Sequence, residues 1–242
     1  MTVQQILSRT SSVGLGEVLR VSASAFGMGS QAEAYRSLQR ARQTDVLSPW
    51  HRRERVIFVH VPKAGGSTMR QAIGDPTPQG FNHTKAWAFR RLDPELFAQA
   101  YKFAVVREPI ERFYSAYSHL KKHTLAHHDP LLRHLPGLLE WDALLHGLET
   151  SRWFRATLFT SLHFQPQWYF VCDAQKRVLV DDLFAFGELG QPLATALETR
   201  LGRPIDVGHT NRSSRVVDGH RLSERALGFV RQWYATDFEL YA

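Results

Sequence analysis

The chain of 242 residues contains a single cysteine, Cys172, and this scarcity excludes an intramolecular disulfide. The cysteine content therefore gives no indication of an oxidising compartment. Cys172 follows the apolar stretch Tyr169-Phe170-Val171, which we interpret as strand-like. We expect its thiol to be a small buried hydrophobic group and not a nucleophile.

Long hydrophobic runs are also missing from the sequence. No stretch of about 18 apolar residues occurs, so we expect no transmembrane helix. The N-terminus lacks the basic and apolar regions that a secretory signal peptide requires. We therefore expect a cytoplasmic protein, and leave open an attachment to the periphery of a membrane.

Positive charge is in excess, with a net charge of +7 and a pI near 9.8. This excess favours an anionic partner: a nucleotide, a nucleic acid, an acidic polymer or a membrane surface. No stretch combines basic and aromatic residues in the manner of a nucleic-acid-binding module, so we expect no nucleic acid as partner.

Stretches typical of strands alternate with stretches typical of helices along most of the chain. Residues 1–50 read as an extension with one short helix, "SQAEAYRSLQRAR", and residues 51–242 as a single domain. Alternating strands and helices indicate an α/β fold with right-handed crossovers. We expect helices to flank a central, mainly parallel sheet.

Individual elements are predicted from apolar runs and their flanking breakers. The predicted strands are "RVIFVHV", "YKFAVV" and "KRVLVDDLFAF". The predicted helices are "STMRQAIG", closed by Gly74, "PIERFYSAYSHLKKH", "PLATALETRLG", closed by Gly202, and one final helix, "LSERALGFVRQWYATDFELY".

The loop "VPKAGGST" follows the first predicted strand and precedes a helix, which is a geometry that binds anions. Gly65 and Gly66 allow close approach, Ser67 and Thr68 offer hydroxyl donors, and Lys63 adds a full charge. The Walker pattern, in which lysine follows the glycines, is absent, so the hydroxyls are not obvious magnesium ligands. The alternative is a turn that only joins the strand to the helix.

Arg107 ends the second predicted strand, and Ser115 lies about two turns into the helix that follows. Ligands of parallel sheets collect outside the carboxyl ends of the strands. Arg107 and Ser115 therefore suit a second phosphate group close to the loop at Lys63. The alternative for Arg107 is an ion pair with Glu108 or Glu111.

Two of these segments carry a resemblance to a known family. "FVHVPKAGGST" resembles the 5'-phosphosulfate loop, and "FAVVREPIERFYSAY" the 3'-phosphate motif, of sulfotransferases that use 3'-phosphoadenosine 5'-phosphosulfate (PAPS). The likeness is closest to the carbohydrate-type group, which includes heparan and chondroitin sulfotransferases and small bacterial members. "HFQPQWYFV" and "GHTNRSS" resemble weaker segments of that group in the same order.

The resemblance implies a P-loop-like fold of three layers, PAPS as sulfuryl donor and no metal. It implies that Lys63 contacts the 5'-phosphosulfate and stabilises charge on the leaving oxygen. The remaining implied contacts are those of Ala64, Gly65, Gly66, Ser67 and Thr68 with the 5'-phosphate, of Arg107 and Ser115 with the 3'-phosphate, and of Arg212 and Ser213 from a C-terminal loop.

An acceptor hydroxyl must lose its proton, and His83 is our first candidate for the base. His83 lies between the two cofactor segments, where the family commonly has a histidine; the alternative is a helix-capping or surface residue. His119, one turn beyond Ser115, is the second candidate. We interpret His60 as a packed histidine, and the set His123, His127, His128 and His134 as part of a solvated loop.

Two positions depart from the family pattern. Glu108 stands where aspartate or asparagine is commoner before the proline, so we expect a slightly weaker start of the helix with activity retained. Gly187 stands where an aromatic residue is common, and Glu188 receives no role.

We therefore predict an enzyme that moves a sulfuryl group from PAPS to a hydroxyl acceptor, for which a carbohydrate is our expectation. The alternatives are a P-loop-like nucleotide kinase and a non-catalytic nucleotide-binding module. The sequence indicates neither the position that is sulfated nor the oligomeric state.

Overall fold

The computed structural model describes residues 46–78, 81–122, 132, 135, 137–208 and 220–242. The helix predicted before residue 46 and the four histidines between 123 and 134 lie outside these residues. The division of the chain at residue 50 stays a prediction.

Helices and strands alternate through the described residues. In chain order they are α1 Pro49–Glu54, β1 Val56–Val59, α2 Gly66–Ile73, α3 Ala86–Leu92, α4 Pro94–Gln99, β2 Tyr101–Val106, α5 Pro109–Lys122, α6 Trp141–Thr150, α7 Arg152–Thr160, α8 Trp168–Val171, β3 Asp182–Ala185, α9 Gln191–Leu201, α10 Glu224–Trp233 and α11 Ala235–Tyr241. A short 3-10 helix, Phe186–Glu188, directly follows β3.

The three described strands form one parallel sheet in the order β1-β2-β3. Val56 lies opposite Tyr101, and Phe103 lies opposite Asp182. All four residues of β1 are buried, as its unbroken apolar run predicts. The predicted α/β class with helices around a parallel sheet is confirmed, and the parallel order brings all three strand ends to one edge.

Two groups of buried apolar side chains hold these layers together. One surrounds the sheet and includes Phe58, Phe103 and Leu193. The other lies among α5, α6, α7 and α10 and includes Tyr117 and Leu158. Helix α5 begins at the end of β2 and therefore joins the sheet to the helical half of the molecule.

Most predicted elements are present, and capping residues of the expected kinds lie at the ends of their helices. Gly74 and Gly202 close α2 and α9 with φ of 73° and 64°, the left-handed conformation that glycine adopts without strain. The Glu108 side chain accepts a 2.6 Å hydrogen bond from the Glu111 N–H, so Glu108 caps α5.

The prediction of a single C-terminal helix was wrong, because the helix is broken at Tyr234. Its φ of -97° and ψ of 18° leave the helical range. The buried Tyr234 hydroxyl donates to the Phe164 carbonyl at 2.7 Å, and Asp237 turns towards the Gln167 N–H. These two buried contacts lie at and just after the break in the helix.

The strand-like interpretation of the segment before Cys172 was also wrong. Residues Trp168–Val171 form the short helix α8, and Cys172 makes only an isolated antiparallel bridge with Val178. The thiol is nevertheless buried, and burial raises its pKa to about 11, as expected of a packed side chain.

Candidate functional site

The candidate site lies where the three parallel strands end. The loop at Lys63 follows β1, Arg107 follows β2, and Phe186 follows β3. This is the edge at which open α/β sheets bind ligands.

The loop between β1 and α2 has a sharply turned backbone, and side chains that follow β3 pack against it. Lys63 and Gly65 have positive φ values, of 66° and 79°. A Cβ atom at Gly65 would lie 2.3 Å from Leu189 Cδ1 and 3.1 Å from the Phe186 ring. Gly65 is therefore required both for its conformation and for the close approach of the segment after β3.

Gly66 is required for a different reason, the packing of His60. A Cβ atom at Gly66 would lie 1.9 Å from His60 Nε2. The His60 ring is buried against the first turn of α2, and burial together with neighbouring cations lowers its pKa to about 2. His60 is thus a neutral packing residue, as the sequence predicts.

Lys63 is a half-buried cation among other cations. Burial, together with the weaker effect of the charges of Arg107 and Lys122, lowers its pKa to about 8. Lys63 makes no hydrogen bond or ion pair with any residue that the structure describes. Three cationic side chains, from the loop after β1, the end of β2 and helix α5, therefore act on one region, which favours a multiply charged anion.

Arg107 is held at both its main chain and its side chain. The Gln167 side-chain amide accepts from the Arg107 N–H at 2.9 Å and donates to the Arg107 carbonyl at 2.8 Å. The guanidinium lies 4.5 Å from the Phe186 ring centroid and donates to Glu111 at 3.2 Å. The predicted alternative, an ion pair with Glu111, is thus present, although the Glu111 side chain is 53% exposed.

One face of α5 continues the cationic region. Glu111, Ser115, His119 and Lys122 follow at intervals of four, four and three residues, which places them on the same side of a helix. Ser115 and His119 are half-buried. The helix therefore carries the predicted phosphate-binding serine between Arg107 and Lys122.

His83 is oriented by one hydrogen bond. Its Nδ1 lies 3.1 Å from the His60 carbonyl oxygen, and because a carbonyl can only accept, Nδ1 carries the proton. Nε2 is then the nitrogen that can accept a proton. Burial is the main cause that lowers the pKa of His83 to about 4. The hydrogen bond to His60 raises this pKa and the charges of Arg70 and Lys63 lower it, and the ring is neutral at physiological pH.

Four histidine rings form a row beside the loop. The centroid of His83 lies 4.3 Å from His60 and 6.2 Å from His163, and His163 lies 4.6 Å from His119. The row brings together both predicted candidates for the base. Sequence reasoning assigned no role to His163, although its segment "HFQPQWYFV" was among the weaker resemblances.

A buried polar network holds the main chain of the segment 163–167 in place. Arg112 is fully buried and donates to the carbonyls of His163 and Gln165 at 3.1 and 2.7 Å. Its guanidinium lies 3.8 Å from the buried carboxylate of Asp237. The sequence did offer a signal for this segment, because two glutamines, Gln165 and Gln167, stand in an otherwise apolar stretch.

The structure gives no position for the two binding residues that were predicted in the C-terminal loop. Arg212 and Ser213 lie outside the described residues. Among the residues that are described, no three acidic, histidine or cysteine side chains are grouped as metal ligands, and no helix has the length and apolar character needed to cross a membrane.

Fold and site together define an α/β protein with a cluster of cationic side chains at the carboxyl ends of its parallel strands. The model of the sulfotransferase family matches residues 50–242, and the chain belongs to that family. No curated protein and no solved structure matches the chain.

Proposed function

We propose that the protein transfers a sulfuryl group from PAPS to a hydroxyl group of a carbohydrate. Membership of the sulfotransferase family establishes sulfuryl transfer in general. The observation that supports the finer proposal is the placement of two cations, Lys63 and Arg107, at neighbouring strand ends, with a neutral His83 in the same region. Such an arrangement suits a donor that carries charge at two separated positions.

The donor-binding residues follow from this placement. The backbone of Ala64, Gly65 and Gly66 and the hydroxyls of Ser67 and Thr68, at the start of α2, suit the 5'-phosphate. Arg107 and Ser115 suit the 3'-phosphate. Arg212 and Ser213 stay predicted contacts.

Lys63 and His83 divide the chemistry between them. PAPS supplies a sulfur trioxide group whose bond to the 5'-phosphate breaks as a bond to the acceptor oxygen forms. Lys63 stabilises the negative charge left on the phosphate oxygen. His83 Nε2 takes the proton of the acceptor hydroxyl, because Nδ1 is committed to the His60 carbonyl.

The histidine row favours His83 over His119 as the base. His119 contacts His163, and His163 separates it from His83. His83 also lies beside His60, which packs on the first residue of the loop helix. His83 is therefore the nearer of the two to the donor loop.

A neutral acceptor rich in hydroxyl groups fits the same row. The neutral imidazole of His83 can accept a hydrogen bond at Nε2 without adding to the positive charge around Lys63. A saccharide offers several hydroxyls to such a surface. A kinase is not favoured, because the lysine precedes the glycines of the loop.

The test is calorimetric binding of adenosine 3',5'-bisphosphate, AMP and ATP to the wild type, Arg107→Ala and Arg177→Ala. Arg177 is an exposed arginine that pairs with Asp173, and it serves as the control for loss of one positive charge. We expect the wild type and Arg177→Ala to prefer the bisphosphate, and Arg107→Ala to lose that preference. Equal binding of ATP and the bisphosphate by the wild type would contradict the proposed donor.

A further inference from the structure

Gln167 is fully buried, and its side chain contacts the main chain of a proposed donor-binding residue. Its amide forms both hydrogen bonds, of 2.9 and 2.8 Å, with the N–H and carbonyl of Arg107. Arg107 lies one residue beyond β2, where the sheet no longer pairs it. The glutamine amide has the donor and acceptor of a peptide group, so it replaces the missing strand partner.

Gln167 is itself fixed by contacts on its other side. The Gln167 N–H donates to Asp237 Oδ2 at 2.8 Å, and the Trp168 N–H donates to Asp237 Oδ1 at 3.0 Å. Asp237 is fully buried, and the buried Arg112 lies 3.8 Å away. The position of Gln167 is therefore determined by the core and does not depend on the surface.

The Arg107 side chain has weaker restraints of its own. Its ion pair with Glu111 involves a carboxylate that is 53% exposed, and such pairs contribute little. The Phe186 ring lies against the guanidinium without fixing its rotation in the ring plane. The direction of the guanidinium thus depends on the orientation of the Arg107 peptide.

We propose that Gln167 is a positioning residue that aims Arg107 at the 3'-phosphate and thereby sets the preference for a 3'-phosphorylated donor. This inference rests on the proposed function, because it takes the anion at Arg107 to be the donor's 3'-phosphate. Gln167 contacts neither donor nor acceptor and acts only through Arg107.

The test compares Gln167→Leu with Gln165→Leu. Gln165 is a buried glutamine two residues away, and its side chain donates to the Thr160 carbonyl at 2.8 Å, not to Arg107. The readout is the ratio of dissociation constants for AMP and adenosine 3',5'-bisphosphate. We expect Gln167→Leu to lower this ratio about tenfold or more, and Gln165→Leu to leave it within about twofold of wild type.

Gln167→Glu provides a second test that does not depend on tolerance of an apolar side chain. A protonated glutamic acid can accept from the Arg107 N–H and donate to the Arg107 carbonyl, as glutamine does. The ionised form cannot donate. The charged groups around this position are Asp237 on α11, Arg112 and Glu111 on α5, and Arg107 itself.

We expect Gln167→Glu to match the wild-type ratio near pH 5, where a buried carboxyl is protonated, and to fall below it near pH 8. The wild type is measured at both pH values, because the 3'-phosphate itself titrates near pH 6. Gln167→Leu is expected to show the same deficit relative to wild type at both.

The outcomes separate the two proposals. If the wild type shows no preference for the bisphosphate, the proposed donor is wrong whatever the variants do. If the wild type shows the preference and both Gln167 variants retain it at both pH values, the role of Gln167 is wrong and the donor proposal stands. A deficit in Gln165→Leu equal to that in Gln167→Leu would likewise overturn the positioning role, because it would show a general effect of loosening the segment.

Discussion

The most informative single residue is His83, because one hydrogen bond determines which of its nitrogens can react. A sequence can indicate that a histidine follows the loop helix, and it did so here. It cannot indicate that the His60 carbonyl holds Nδ1, since that contact joins residues 23 positions apart. The tautomer is therefore a result of tertiary structure.

His83→Asn is expected to lower kcat by about 10²- to 10⁴-fold, because asparagine has no nitrogen that accepts a proton. Asparagine retains a donor for the His60 carbonyl, so binding of adenosine 3',5'-bisphosphate should stay within about threefold of wild type. Steady-state kinetics and calorimetry measure the two effects. His146→Asn, at an exposed position of α6, is the control and should leave both unchanged.

The low pKa of His83 predicts the acid side of the pH profile. A base acts in its neutral form, which predominates above its pKa of about 4. The kcat/KM for the acceptor at saturating donor should therefore be nearly constant from pH 7 down to about pH 5, whereas an ordinary histidine would lose activity below about 6.5. A half-maximal value near pH 6.5 would contradict the assignment of His83.

The pKa of Lys63 predicts the alkaline side of the pH profile. Its ammonium group must be charged to stabilise the leaving oxygen, and the charge is lost as the pH rises through its pKa of about 8. The kcat/KM for the donor should therefore fall above about pH 8 in the wild type. Lys63→Arg should be less active but independent of pH over this range, because a guanidinium keeps its proton.

At the scale of elements, the sequence predicts what local chemistry determines. The first two strands and the helices that follow them were found from apolar runs and glycine or proline breakers, and α2 and α5 occupy the predicted positions. The elements that were misread, α8 and the broken C-terminal helix, depend on Asp237 and Tyr234, whose partners lie about 70 residues away in sequence. Local propensity does not contain such contacts.

Gly66→Ala tests the contact between the loop helix and β1. The new methyl group would overlap the His60 ring, so we expect a loss of about 1–3 kcal/mol in the free energy of unfolding and weaker bisphosphate binding. Gly187→Ala is the control, because a Cβ atom there meets nothing within 4 Å. Chemical denaturation should show a change below about 0.5 kcal/mol for the control.

At the scale of the whole molecule, Arg112 joins the two apolar cores. Its helix, α5, starts at the sheet, and its guanidinium reaches the segment 163–165 and Asp237 on α11. The sequence shows only an arginine on an amphipathic helix, the usual pattern of a solvated residue. Its full burial follows from packing among elements that are distant in the chain.

Arg112→Met is expected to lower the free energy of unfolding by about 3–5 kcal/mol, because it leaves the buried carboxylate of Asp237 without its counter-charge and two carbonyls without their donor. Arg177→Met, which removes an arginine that is 72% exposed from its pair with Asp173, should cost less than about 1 kcal/mol. Equilibrium denaturation by urea measures both. Equal costs would show that Arg112 does not join the cores in solution.

The left-handed backbone of Lys63 lowers the stability of the fold at a position where the proposed activity needs a lysine. A residue with a Cβ atom at a φ of 66° costs about 1–2 kcal/mol that glycine would not. Glycine at this position would therefore give a more stable protein, which on the proposed mechanism would lose its transfer activity. If Lys63 acts on the donor as proposed, the fold carries a strained residue for the sake of the chemistry of this loop.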